Sequence, residues 1–312
     1  MWNHVIPHFE QFLKELQLSP EERRDAEGKA ERIARSLWKN YCAGEFDPRC
    51  YVIVGSHRKN TAVAPHSDLD MLFLLPTEVY FRFNALSGNV QSALLQEVKR
   101  ALIETFPNTD LRADGQVILA PFQSYSVEVV PAFIRPGGGY VTAHTENGGC
   151  WRLSHPAEEL DMLNKADWAS SGKARHLLQM LKAWKRECNV ELKSVSLEVL
   201  ACKFAILWEF RDKTLFYYDW MVRDFFKFLG LYVGGNTTIP GTNERIELGY
   251  SWSTKCDTAY ARALKACEYE KLDQGDLAAR EWQKIFGSQF HTDAVPLFLS
   301  ILAGGTQQWT LS

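Results

Sequence analysis

The sequence predicts an α+β chain in two lobes, a mixed sheet with helices followed by an all-helical second half. Three features lead to that expectation. Short β-branched or apolar runs, Val52-Ile53-Val54, Met71 to Leu75 and Val127 to Val130, lie in the first half between stretches of helical period. Two glycine clusters, Gly137-Gly138-Gly139 and Asn147-Gly148-Gly149, then punctuate the chain. From Trp151 onward the apolar residues recur at helical spacing. The boundary is therefore expected near residue 150, giving lobes 1–150 and 151–312.

The first element is a helix. Ser19-Pro20-Glu21-Glu22 spells a capping box with proline at the first helical position, and Ala30, Ile33, Ala34, Leu37 and Trp38 continue one apolar stripe to an end near Tyr41–Gly44. Val52 to Val54 reads as a strand that stops at the Gly55-Ser56 turn. Met71 to Leu75 is apolar at every position, as for a strand covered on both faces. A helix is expected over 83–106, through Val90, Leu94, Leu95, Val98, Leu102 and Ile103, closed by Pro107. Strands are expected over 115–122 and 124–133. The glycine clusters lack the strand-turn-helix setting of a nucleotide fingerprint and read as loops. Helices then begin at His155-Pro156 and at Ser171-Gly172, followed by helices over 194–210, 215–229, 257–272 and 275–286.

Composition narrows the class. With 312 residues, 46% hydrophobic and 23% charged, the chain can build a substantial core. A net charge of −3 argues against a broad surface for extended nucleic acid. The 7 cysteines are scattered and never spaced as C-x-x-C, which suggests neither a disulfide framework nor a zinc site and fits a reducing cytoplasm. The amino terminus lacks the charged and apolar regions of a leader, and no stretch is long and apolar enough to suggest a membrane span.

The chemistry gathers at the end of the first strand and the start of the second. Asp68 and Asp70 share a side of an extended chain, and two like charges a few ångströms apart call for a cation. Mg²⁺ is the natural choice, a hard ion held by carboxylates and substrate phosphates. Gly55 lets backbone N–H groups approach a phosphate, and Ser56 adds a hydroxyl at the start of a short helix. Glu128 lies among Val127, Val129 and Val130, so on an internal strand its carboxylate must be paired, protonated or bound to metal.

The run GSHRKNTAVAPHSDLD, with Thr61 between the two motifs, resembles the nucleotidyltransferases of the DNA polymerase β type. Its spelling is most similar to the bacterial cGAS/DncV-like nucleotidyltransferases (CD-NTases), relatives of cyclic GMP-AMP synthase and oligoadenylate synthase. The resemblance is strongest over 51–133 and looser afterwards, where Trp282 to Gly287 is similar to the family's closing segment. It implies a polymerase-β-like core, a long amino-terminal spine helix linking the lobes, and a helical carboxy-terminal lobe. It also implies catalysis by Asp68, Asp70 and Glu128 around two Mg²⁺ ions, with Mn²⁺ as a substitute. Glu128 matches the third acid through VEVVPAF, where many members carry Asp.

Gly55, Ser56, Lys182 and Ser194 are implied to hold the donor triphosphate, with Lys185 as the neighbouring candidate and Ser194 capping its helix. The animal relative carries a base-stacking tyrosine where Val195 stands here, so stacking must come from another aromatic. Arg58 and Lys59 are candidates for the phosphates, whereas His57, His66 and His176 are assigned no metal or acid-base role. Asp110 and Asp114 stand next in line should Glu128 not be the third ligand.

The implied reaction joins ATP and/or GTP into a cyclic di- or trinucleotide in anti-phage (CBASS) signalling. Its implied partners are an effector that binds the product and regulatory proteins. The carboxy terminus, Gln-Gln-Trp-Thr-Leu-Ser, lacks the small last residue that conjugation systems use. Nucleotidyl transfer to an RNA, protein or small-molecule acceptor, or an inactive nucleotide-binding scaffold, are the alternatives.

Overall fold

Seven strands form one mixed sheet: β1 (Tyr51–Ile53), β2 (Leu69–Leu74), β3 (Arg112–Asp114), β4 (Val117–Pro121), β5 (Ser126–Ile134), β6 (Tyr140–His144) and β7 (Cys150–Ser154). The order is β1-β2-β5-β4-β3, and β6 and β7 continue from the far half of β5. Strands β2 and β5 run parallel, whereas β1, β4 and β6 pair antiparallel with their neighbours. The computed structural model describes residues 3–65 and 68–293, apart from the side chain of Asp114, so His66 and the carboxy-terminal hexapeptide lie outside the described residues.

One face of this sheet is the core. Leu69, Met71 and Phe73 from β2 and Val127, Val129 and Phe133 from β5 are buried with Ile33 and Leu37 of helix α2 (Pro20–Tyr41) and Leu94, Val98 and Leu102 of helix α5 (Val90–Thr105). Helix α2 begins as the sequence predicts. The Glu22 amide donates to Ser19 Oγ at 3.1 Å and the Ser19 amide to the Glu22 carboxylate at 2.7 Å, a complete capping box that contributes about 1 kcal/mol. The other face carries Asp70, Leu72 and Leu74 beside Glu128, Val130 and Ala132, with a buried apolar patch of only Val54, Leu72 and Ala132. The expected cover on both faces is therefore incomplete within this unit. Asp70 and Glu128 stay half-buried for that reason.

Three local readings change. The helix expected over 83–106 is two helices, α4 (Thr77–Asn84) and α5, because Gly88 turns at φ +86° and Asn89 recaps the chain by accepting from the Ser92 amide at 2.9 Å. The strand expected over 115–122 is β4, shortened at its start by the turn at Gly115 (φ +59°), and the short β3 ahead of that turn is additional. Residues 140–154 pair as β6 and β7, so the strands continue past the glycine clusters.

The chain separates into two compact units, one of Gln17–Lys165 with Thr238–Arg245, the other of residues up to Leu16, Ala166–Thr237 and those from Ile246. The division falls inside helix α6 (Pro156–Ala169) and not near 150, because Cys150–Ser154 belongs to the sheet. The helical unit holds α1 (Val5–Leu16), α7 (Lys173–Glu187), α8 (Ser194–Leu207), α9 (Tyr218–Gly230), α10 (Ser253–Lys271) and α11 (Gly275–Phe286). Strands β8 (Asn236–Thr238) and β9 (Arg245–Glu247) make a separate hairpin. Helix α1 joins through rings: Phe9 meets Trp282 at 5.4 Å and Phe12 meets Phe286 at 4.8 Å between centroids. Among the described residues no helix is long and apolar enough to cross a membrane.

The helical core also encloses two acids, Asp219 and Glu270, each 1% exposed. Neither oxygen of Asp219 reaches a full hydrogen bond among the described residues, and burial pushes its pKa up to about 7. Glu270 is pushed up to about 7 by burial and by the charge of Asp219. A carboxyl whose folded pKa is raised keeps a proton that the unfolded chain loses, so the folded state is favoured at low pH and that advantage is lost as pH rises from about 4 to about 7. Asp219→Asn should therefore stabilise the protein by a few kcal/mol at pH 8, on the order of 3, and by little at pH 4. Urea melts at the two pH values check this, and equal effects would mean that Asp219 is not titrating in the core.

Candidate active site

The site is built where β1 ends and β2 begins. After Ile53 the chain enters a one-turn helix, α3 (Gly55–Arg58), and the Val54 amide donates to the Asp70 carbonyl at 2.9 Å. Gly55 adopts φ +60°, which favours glycine, and a Cβ there would lie 1.9 Å from Asp70 Oδ2. The carboxylate of Asp70 thus rests directly over the Gly55 backbone. No other residue type leaves that space.

Across the parallel pair, Asp70 stands opposite Glu128. Leu69 pairs with Val127 and Met71 with Val129 on either side, so both acids emerge on the same face while their neighbours enter the core. The Glu128 pKa is pushed up to about 7, by burial first, then by the charges of Asp70 and Asp68 and by a hydrogen bond with Asp70. Near neutral pH this pair shares a proton. Asp68, the residue before β2, is exposed.

These groups are oxygen donors of the kind a hard divalent cation takes. The described residues contain no set of three His, Cys, Asp or Glu side chains already gathered as ligands. Two unneutralised carboxylates 4 Å apart repel by about 4 kcal/mol in an intermediate dielectric, a cost that a bound cation removes. The raised Glu128 pKa and the Asp70 carboxylate seated over Gly55 both fit a site that awaits positive charge.

Of the remaining candidates, Ser56 is half-buried in α3, and its carbonyl accepts from the amides of Thr61 at 2.9 Å and Ala62 at 3.1 Å. Arg58 is exposed. Lys59 is 4% exposed and its Nζ donates to Glu159 at 2.6 Å, so it anchors the loop to α6 and does not face the phosphates as the sequence suggests. His57 is buried against Tyr125, and His176 bonds the Tyr218 hydroxyl at 2.7 Å. Asp110 is paired with Arg112 at 2.6 Å on the surface.

Lys182 and Ser194 belong to the helical unit. Lys182 is half-buried on α7, one turn from Lys185. It is Lys185 whose Nζ donates to Ser194 Oγ at 3.0 Å, and burial holds that lysine below its usual pKa range. Ser194 is the first residue of α8, and Lys193 occupies the cap position without a side-chain bond. The expected capping role of Ser194 is therefore corrected: its hydroxyl engages the lysine, and α8 presents an uncapped positive end.

Sheet, turn and acids together have the architecture of a polymerase-β-like nucleotidyltransferase, and the chain is an enzyme of that class. The Second Messenger Oligonucleotide or Dinucleotide Synthetase (SMODS) domain matches residues 4–167, and the chain belongs to this cGAS/DncV-like CD-NTase family. A probable cyclic nucleotide synthase of Bacillus cereus strain VD146 is 20% identical over 277 residues, which is 76% of this chain and 80% of that protein. Vibrio cholerae DncV, a cyclic AMP-GMP synthase solved with the linear intermediate pppA(3′,5′)pG, aligns with a TM-score of 0.70 at 13% identity over 91% of this chain and 98% of its own. Escherichia coli MS115-1 CdnC, solved with ATP, aligns with a TM-score of 0.63 at 16% identity over 93% and 100%. Bradyrhizobium diazoefficiens CdnG with GTP gives 0.65 at 13% identity over 91% and 95%.

The close approach of Asp70 to Gly55 is testable. Gly55→Ala should force Asp70 or the α3 turn to move, lowering stability by about 1–3 kcal/mol and activity by roughly a hundredfold. Pyrophosphate release and a thermal melt on the purified variant measure both. A folded Gly55→Ala protein with wild-type turnover would mean that the space over Gly55 is not used.

Proposed function

We propose that this enzyme condenses ATP and/or GTP into a cyclic di- or trinucleotide with release of pyrophosphate, as a signal in anti-phage defence. The observation that carries the reading is Asp70 set opposite Glu128 directly over the Gly55 backbone, in a chain of the SMODS family. The structural relatives support purine nucleotides as substrates, since DncV, CdnC and CdnG were solved with such compounds. CdnC was also solved in complex with a HORMA protein, which supports adding a regulatory protein partner to the proposal, alongside an effector that binds the product.

Asp68, Asp70 and Glu128 would hold two Mg²⁺ ions, or Mn²⁺ in their place. When bound, such ions lower the pKa of the attacking ribose hydroxyl and neutralise the leaving pyrophosphate. The chain's own groups do the rest. Gly55 seats the Asp70 carboxylate at the turn whose backbone N–H groups would meet the triphosphate, and Ser56 offers a hydroxyl from the same turn. Glu128, whose pKa burial and the neighbouring acids push up to about 7, would hold the ion as a carboxylate beside Asp70. In the helical unit Lys182 and Lys185, with the Ser194 hydroxyl and the positive end of α8, supply cationic and N–H contacts for phosphates. Catalysis of this kind is mainly positioning and charge neutralisation.

Incubation with labelled ATP, GTP, CTP and UTP in Mg²⁺, followed by phosphatase, should leave a resistant product, because a cyclised chain has no terminal phosphate. Asp68→Asn with Asp70→Asn should fold and give none. A product that remains attached to an added RNA, protein or small molecule would instead establish transfer to an acceptor. Wild-type turnover by the double variant would refute the assignment of the acids.

Glu128→Gln separates a metal-bound carboxylate from a structural one. The folded pKa of about 7 exceeds the ordinary 4.5, so ligand-free stability should fall as pH rises from about 4.5 to 7 and level off above. Removing the charge should stabilise the ligand-free protein at pH 8 by about 2 kcal/mol, after discounting for partial exposure. The same variant should lose the rise in melting temperature that Mg²⁺ with a non-hydrolysable nucleotide gives the wild type. A full Mg²⁺-dependent rise in the variant would make Glu128 a structural residue.

A further inference from the structure

The α3 turn is a single helical turn with no side-chain cap at Val54 and with glycine at its first position. One turn cannot hold its own geometry, so its orientation comes from its anchors. Backbone pairing secures it to β2 through the Val54 amide and the Asp70 carbonyl. Lys59 secures its far end to Glu159 on α6. Neither contact touches β5, the strand that carries Glu128.

One side-chain pair does. His57, the third residue of α3, is 8% exposed, and so is Tyr125, the residue before β5. His57 Nε2 lies 2.6 Å from the Tyr125 hydroxyl, and the rings meet edge-on with centroids 5.5 Å apart. Tyr125 is itself held in the β4–β5 hairpin, where its carbonyl accepts from the Phe122 amide at 3.0 Å. Burial, Glu22 and Asp68 raise the Tyr125 pKa, so the phenol keeps its proton and the bond forms whichever ring nitrogen of His57 is protonated. Shielded from water, it is a firm contact that joins residues 68 apart in sequence.

We propose that His57 and Tyr125 are a positioning pair that holds the Gly55–Arg58 turn against the head of β5, fixing the triphosphate-binding backbone relative to Glu128. The inference rests on the nucleotidyltransferase reading of the site. Without the pair, the turn keeps its ties to β2 and α6 but loses its side-chain tie to the head of β5, while Asp70 and Glu128 stay in register on the sheet. The loss then falls on how the triphosphate is presented to the acids. A side chain that merely filled space would lower the amount of folded enzyme and leave the Michaelis constant alone.

The test compares Tyr125→Phe, His57→Ala, their double variant and His57→Gln by pyrophosphate release across nucleotide concentration and by amide hydrogen exchange of residues 55–62. Tyr125→Phe and His57→Ala should each raise KM for the triphosphate roughly tenfold, the effect of losing one buried hydrogen bond, and speed exchange in 55–62. The double variant should be no worse than the poorer single one, as for two halves of one contact. His57→Gln, whose amide nitrogen reaches about as far as Nε2, should stay within about threefold of wild type. Unchanged KM and exchange in Tyr125→Phe, or single effects that multiply in the double variant, would overturn the pair. Failure of the functional reading looks different: the wild-type protein then releases no pyrophosphate from any triphosphate, and exchange in 55–62 alone decides whether the pair holds the turn.

Discussion

The structure depends on keeping Asp70 and Glu128 close together, within reach of the charge of Asp68, before anything neutralises them. Asp70 and Glu128 face each other on adjacent parallel strands with Asp68 near enough to act on Glu128, and water alone does not make that arrangement comfortable. The sheet makes it tolerable. Leu69, Met71 and Phe73 on β2 and Val127 and Val129 on β5 are buried on the opposite face, each worth about 2 kcal/mol, which together exceeds the repulsion between neighbouring acids. A shared proton relieves what remains, and Gly55 gives Asp70 somewhere to rest. The acids are held in place by side chains buried on the opposite face of the sheet.

Much of this was legible because it is local. The Ser19 capping box, the strand ending at Gly55, the acids opening β2 and the apolar flanks of Glu128 each sit within a few residues of the feature that reveals them. What could not be read depends on partners distant in the chain. Lys59 looks like a phosphate ligand beside Gly55-Ser56, but Glu159 takes it inward. Ser194 looks like a cap, but Lys185 from the preceding helix claims its hydroxyl. The His57–Tyr125 contact carries no sequence signal, since nothing in the run around His57 points to a tyrosine 68 residues on.

Boundaries failed for a related reason. Gly88 breaks a helix whose apolar periodicity runs through it, and the strands beyond the glycine clusters are short and only partly apolar. Helix α1 shows a clear stripe of Val5, Phe9, Phe12, Leu13 and Leu16, but periodicity does not name a partner. Its rings meet Trp282, Phe286 and Phe290, the far end of the described chain. A division of the chain at one point could not represent a unit assembled from both ends.

Pro131 has a consequence for how this sheet avoids misassembly. It sits in β5 just past the last position paired with β4, Val129 opposite Ile118, and just before the first paired with β6, Ala132 opposite Thr142. A residue without an amide hydrogen is tolerated where the ladder changes partner and nowhere else along that edge. Sliding β5 in either direction would bring the imino ring against a neighbour that needs a donor. A slip of one residue would also turn Glu128 into the hydrocarbon interior and a valine toward Asp70. Proline thus acts as an index pin, making the mispaired sheets that would separate the acids unfavourable from the outset.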